Sequence, residues 1–438
     1  MTIPNGLSMN AAENYEEMSN NSNEYRYVMM FKSIIDQKLL PNDFDVWTIE
    51  EQCTWINKNI PTFFPNVPKT MLHLMPGFCR LANCKRSLVE TPEWLDMDKY
   101  RKGQKFVREN YFSIMIGTVL GTLLLYTFEE DLKPLIITKG SITPYLAFKR
   151  YFSNFQRFSS WYNGEPWIKG TQAYKDMQYA CKMHSLTQAK LSKLDNNQFE
   201  SEAKIADPWC PDHELLLKDF AAVCPLNTQS CYQMISKSPY IIKNLNNANM
   251  ACAQCFFFSI ILLWPQNIGI HNATNEDMEA FCHMWRCYGY FLGIEDEYNT
   301  CRGNLKEIKH RTRELYEVML SNLNNITPKW EHMTRCFIES LNYYPFLYMP
   351  YKMMVVFAMD ILNISMPHLY ASMSYAEWIT YKISRFLFRY AFKFSIIRLI
   401  INKAANKLID KVMNFSPEKN VELQEKSKQQ LLKFSTEH

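Results

Sequence analysis

Polar and apolar residues along this chain fall into long runs with helical spacing, separated by proline, glycine and asparagine punctuation. The opening, Met1 to Tyr25, is rich in Asn, Glu and Ser and poor in aliphatics, which predicts disorder. Order is expected from Tyr27, with a helix to Leu40 stopped by Leu40-Pro41-Asn42-Asp43 and a second from Ile49 to Asn59 that ends before Pro61. Prolines between Pro61 and Pro92 predict an irregular connection. The most hydrophobic stretch, Tyr111 to Phe128, runs 18 residues without a charge. That is the lower edge for a membrane span, but Gly117 and Gly121 at small-residue spacing favour a tightly packed central helix.

After the Lys139-Gly140-Ser141-Ile142-Thr143-Pro144 turn, a helix is predicted from Tyr145 to Tyr162, closed by Asn163-Gly164. The Lys169-Gly170 turn then leads into a helix carrying His184, and Lys190 to Asp212 reads as a polar surface loop. Met250 to Trp264 is a buried helix stopped by Pro265, and Asn275-Glu276-Asp277 opens another that runs to Leu292-Gly293. Tyr344 to Met366 is strongly apolar but carries Lys352 and Asp360. Trp378 to Val412 interleaves Lys382, Arg385, Arg389, Lys393, Arg398, Lys403 and Lys407 with large apolar residues. This is the pattern of a basic amphipathic helix, lying either in a membrane interface or on a core with a solvated basic face. From Ser416 the chain reads as a charged, frayed tail.

Composition narrows the fold class to all-α, a single large helical domain: 47% of the 438 residues are hydrophobic and 14% aromatic, with 12 glycines. The division expected is a disordered segment over 1–25, a helical domain over 26–370, a basic amphipathic, membrane-associated segment over 371–415 and a charged tail over 416–438. A net charge of +4 is too weak a bias for a nucleic-acid binder. The 13 cysteines are scattered, and the N-terminal stretch lacks the apolar core of a signal peptide, which points to reduced thiols facing the cytosol. The Cys252/Cys255 pair sits in an apolar helical run with no second ligand pair. It and Cys282/Cys287 read as buried thiols acting as small hydrophobes.

The candidate chemistry lies on the helix after Pro144. Arg150 and Asn154 share a face, with Arg157 a turn beyond, among Tyr151, Phe152, Phe155, Phe158 and Trp161. A buried arginine in such company needs an anionic or hydrogen-bonding partner. His184 is the leading candidate ligand. His283, between Phe281 and Trp285, reads as a core or supporting residue, and His213 as a residue of a polar loop.

Several segments fall in a recognisable order: Leu40 to Asp45, Pro92-Glu93-Trp94-Leu95-Asp96, Arg101-Lys102-Gly103-Gln104, Thr143 to Tyr151, Trp161-Tyr162, Cys181-Lys182-Met183-His184, Met250 to Gln254, Phe281 to Ile294 and Asp296-Glu297-Tyr298-Asn299. Together, over Leu40 to Gly303, they resemble the catalytic domain shared by bacterial rubber oxygenases (latex clearing proteins) and the fungal ER-bound oxygenase of mycophenolic acid biosynthesis, in an insect-like animal branch. The resemblance implies a globin-like haem-binding core, with His184 as proximal ligand to the iron of haem b and Arg150 and Asn154 orienting dioxygen or a haem propionate. It implies oxidative cleavage of a carbon-carbon double bond in an isoprenoid or other apolar substrate using O2, at the cytosolic face of the endoplasmic reticulum or another membrane. Three departures stand out. Asn154 occupies a position where threonine is usual, Ser153 stands where the bacterial members carry a lysine able to cap the iron, and the upstream glutamate base has no clear counterpart. Glu130 is a candidate for that base whose plainer reading is a solvated loop carboxylate. The alternative to an enzyme is a non-catalytic haem- or lipid-binding helical protein at a membrane surface.

Overall fold

In the computed structural model, which describes residues 23–222, Ile235, 238–345 and 347–437, the apolar runs are α-helices. Residues 1–22, which hold most of the segment expected to be disordered, lie outside the described residues. Among the described residues there is no strand, and Leu81 and Asn246 form an isolated bridge. In chain order the helices are α1 (Asn23–Ile34), α2 (Ile49–Phe63), α3 (Lys69–Leu74), α4 (Met97–Glu109), α5 (Tyr111–Leu125), α6 (Glu129–Ile137), α7 (Pro144–Asn163), α8 (Gln172–Leu191), α9 (Asn196–Glu202), α10 (His213–Ala221), α11 (Asn247–Leu263), α12 (Asn275–Phe291), α13 (Leu305–Leu323), α14 (Pro328–Leu341), α15 (Tyr351–Ile361), α16 (Pro367–Ala371), α17 (Tyr375–Arg389), α18 (Ser395–Met413) and α19 (Pro417–Glu437). The all-α class expected from composition is what the structure shows.

The centre is the pair α5 and α11, apolar around almost their whole circumference because protein covers every side. They touch at Gly121, where a Cβ would run into the carbonyl oxygen of Phe256. Thr118 Oγ1 donates to Ile114 O at 2.9 Å and to Phe257 O at 3.3 Å, so the hydroxyl also links the two helices. A second close pair, α4 and α12, meets where Gly103 lies on the backbone of Ala280. Among the described residues no single helix is long and apolar enough to cross a membrane. Helices α5 and α6 pass that test together, by length and composition, but are bent by 100°.

Local sequence signals and tertiary packing part company in five places. Helix α2 continues through Pro61 to Phe63. Proline removes one helical N–H bond, but the extra turn sets Phe63 and Phe64 edge-on to Phe31 at 5.3 and 6.5 Å, and the aromatic burial offsets the loss. The expected loop after Lys190 contains α9, started by a reciprocal Asp195–Gln198 capping box and anchored by buried Phe199. Glu129 to Ile137 is a helix rather than a loop. The basic segment expected as one helix is two, α17 and α18, broken around Tyr390 because Phe392 inserts against Gly269, which adopts φ +86 where a side chain would also collide with the ring. The tail from Ser416 is not frayed: α19 packs on α7, with Leu423 buried and the Ser427 hydroxyl accepting from Tyr145 N at 3.1 Å.

Candidate functional site

Helices α7 and α8 form an antiparallel hairpin. Each begins with a threonine cap: Thr143 Oγ1 accepts from Leu146 N, with Pro144 preset for the first helical position, and Thr171 Oγ1 accepts from Tyr174 N. At the closed end Gly164 lies on Ala173, and a Cβ there would sit 2.8 Å from the Ala173 methyl carbon. Midway, the Arg157 guanidinium stacks on Tyr179, 4.2 Å from the ring centre. At the open end Arg150 is the charged neighbour that acts on His184. The antiparallel register therefore brings together two residues that are 34 positions apart in the sequence.

The scattered sequence segments hold this hairpin in place. Gln104 Nε2 donates to Gly164 O at 2.7 Å, and Tyr288 Oη donates to Trp161 O at 2.9 Å, so α4 and α12 both grip the carbonyl end of α7. Behind them Gln254 donates to Trp285 O at 2.8 Å and to Asn299 Oδ1 at 3.1 Å, while Arg286 forms a bidentate pair with Asp296 at 2.9 and 2.6 Å. Arg286 also lies over the Trp94 ring, 3.8 Å from its centre. These are structural roles, and they give a physical reason for polar residues in otherwise apolar segments.

Arg150 and His184 are surrounded by protein, yet both keep part of their side-chain surface accessible. Burial, with the Arg150 charge beside it, brings His184 down to about 4, so its imidazole is neutral at physiological pH. Its Nδ1 is fully covered and makes no hydrogen bond. Arg150 has no carboxylate within ion-pair distance among the described residues, and its guanidinium occupies the space that Gly140 leaves without a side chain. The nearest phenol acting on it is Tyr126, whose buried hydroxyl also lacks a partner and whose ionisation burial disfavours. A cation, a neutral imidazole and a phenol, each short of a partner, are thus brought together by α7, α8 and the end of α5.

Asn154 Oδ1 accepts from Arg157 Nη1 at 3.5 Å, one turn along the same helix, next to the Arg157–Tyr179 contact. Glu130 is bound by Lys133 Nζ at 2.7 Å, so it is neither a loop carboxylate nor a free base. His283 accepts a hydrogen bond from Asp96 N at 3.0 Å, supporting the start of α4, and packs edge-on against Trp94 at 5.7 Å. His213 begins α10, with Glu331 at 4.0 Å, rather than sitting in a loop. The eleven cysteines among the described residues are free thiols, and no three His, Cys, Asp or Glu side chains there converge on a metal position.

Two groups escaped the sequence reading. Tyr126 is a phenol at the end of the most apolar run, and a polar tip in such a run was the available signal. Asp131 is enclosed, donated to by Asn249 Nδ2 through one oxygen, and left without a partner on the other. Burial, with Glu130 adding repulsion, pushes its carboxyl up to about 8 from an ordinary 3.8. A raised folded-state pKa means that stability present below pH 4 is lost as pH rises toward 8. Asp131→Asn should remove that loss and leave the variant more stable than the parent at pH 8 by on the order of 1–4 kcal/mol, as read from denaturation midpoints across pH. An unchanged pH dependence would show that Asp131 does not titrate in this range.

No family model, no curated protein and no solved structure matches this chain.

Proposed function

We propose that the chain is a haem b dependent oxygenase, with His184 as the protein ligand to iron and Arg150 as the partner of a propionate or of bound oxygen. The observation that carries this reading is the pairing of a buried neutral imidazole with a buried arginine that has no carboxylate partner. A neutral imidazole offers a lone pair, and one such ligand is enough when the remaining ligands to the metal come from a macrocycle. Arg150 supplies the fixed positive charge that a propionate requires, and Tyr126 is a further donor beside it. Haem, when bound, supplies the dioxygen chemistry that the side chains lack. The protein's own part is to hold the ring by His184, orient the polar edge through Arg150 and exclude water with the aromatic packing of α7. The substrate class suggested by the family resemblance is an isoprenoid or similarly apolar chain with a carbon-carbon double bond.

The measurement that tests this is the absorption spectrum of purified protein reconstituted with haem b, followed by oxygen uptake with a polyprenoid. A Soret band with polyprenoid-dependent O2 consumption supports the oxygenase. A Soret band without uptake supports a second reading, a non-catalytic haem carrier, which the engagement of Asn154 with Arg157 favours because it withdraws a polar group from the Arg150–His184 pair. No haem binding at all would remove both.

A further inference from the structure

The basic C-terminal segment has one face fixed to the core. Phe388 stacks on Phe112 at 6.0 Å, Phe392 packs on Gly269, and Asn402 ties the start of α5 by accepting from Phe112 N at 3.0 Å and donating to Glu109 O at 2.9 Å. With that face committed, the corner where α17 turns into α18 points a set of large apolar residues outward. Ile383, Phe386, Phe394, Ile396 and Ile400 are each 59–64% exposed. An apolar cluster of this kind, drawn from the end of one helix and the start of the next, differs from scattered surface hydrophobics.

Charge identifies the occupant. From Trp378 to Ile409 there are seven Lys or Arg residues and no carboxylate. Arg385 pairs with Asp360 at 3.2 Å, and Arg398 donates to Phe392 O at 2.6 Å. Lys382, Arg389, Lys393, Lys403 and Lys407 have no carboxylate partner among the described residues and are exposed beside the apolar corner. A second copy of the chain meeting this face about a two-fold axis would oppose like charges. An anionic bilayer satisfies both features, taking the apolar corner below its headgroups and pairing the cations with phosphate and carboxylate.

We infer that the α17–α18 corner is a membrane-docking surface that inserts Phe386, Phe394 and Ile400 into the interface of an anionic bilayer. The inference stands on exposure and charge and is independent of the haem reading. The test is co-sedimentation of the full chain with vesicles of phosphatidylcholine plus phosphatidylserine and with vesicles of phosphatidylcholine alone. Binding to the mixed vesicles is expected to be about tenfold or more tighter and to weaken as salt is raised. Phe386→Ser with Phe394→Ser, and separately Lys393→Glu with Lys403→Glu, should each lower it by about tenfold or more, with circular dichroism unchanged. Should either variant fail to fold, the salt titration of the parent and a depth-dependent quenching of Trp378 fluorescence by brominated lipid decide the matter. Equal partition onto both vesicle types, absence of binding, or a dimer in light scattering that the phenylalanine variants dissociate would overturn the inference.

Discussion

His184→Ala is expected to abolish haem retention, whereas Arg150→Ala should leave a coloured protein that binds haem more weakly. The imidazole would contribute a direct bond to iron, and the two other side chains considered are poor substitutes: Tyr126 is held protonated by burial, and His283 is committed to Asp96 N. The arginine would contribute a charge-assisted hydrogen bond, worth about 1.5–3 kcal/mol, or roughly a 10- to 150-fold weakening. His184 makes no hydrogen bond that alanine would leave unpaired, so the apo variant should keep the parent's fold. Haem titration followed at the Soret band, with circular dichroism alongside, measures both effects. A His184→Ala protein with a normal Soret band, beside a His283→Ala protein that has lost it, would reverse the ligand assignment.

The largest effect on stability is expected at Gly121. Alanine has the higher helical propensity, by about 1 kcal/mol, so in an isolated helix the change would be favourable. Here the added methyl meets the Phe256 carbonyl oxygen, a backbone atom of a neighbouring helix that cannot rotate away as a side chain can. Separating α5 from α11 would loosen the core along both helices. Gly121→Ala should therefore cost about 3 kcal/mol or more in denaturant unfolding, or prevent accumulation of folded protein. Gly170→Ala is the contrast. Its φ of +85 is unfavourable for alanine, but no atom lies within 4 Å of the added carbon, so only the backbone cost of about 1 kcal/mol is expected. Equal effects at the two sites would show that the α5–α11 contact is not close in solution.

Much of the helical inventory was legible because helix formation is written locally. The period of apolar residues, the threonine and asparagine caps and the prolines at helix starts place α7, α11 and α12 within a few residues of where they lie. The reading of Tyr111 to Phe128 as a core helix also follows from its small residues, since Ile261 lies against Gly117 and the Phe256 backbone against Gly121; the helix itself ends at Leu125. Of the candidate site, the sequence supplied the residues, through a resemblance and through the oddity of an arginine on an aromatic helix.

What only the tertiary structure decided is who meets whom. The hairpin register puts Arg150 beside His184, 34 positions later, a pairing that the periodicity of either helix alone cannot supply. Pro61 remains inside a helix, and the charged tail becomes α19, because packing against distant residues outweighs the local signal. The break at Tyr390 arises in the same way: Phe392 finds its place over Gly269, 123 positions earlier, and a continuous basic helix becomes a corner with an outward apolar face. Local pattern fixes which segments are helical, because backbone hydrogen bonds and caps involve near neighbours. The burial that decides ends, bends and partners involves residues far apart in the chain, and its energy exists only once they have met.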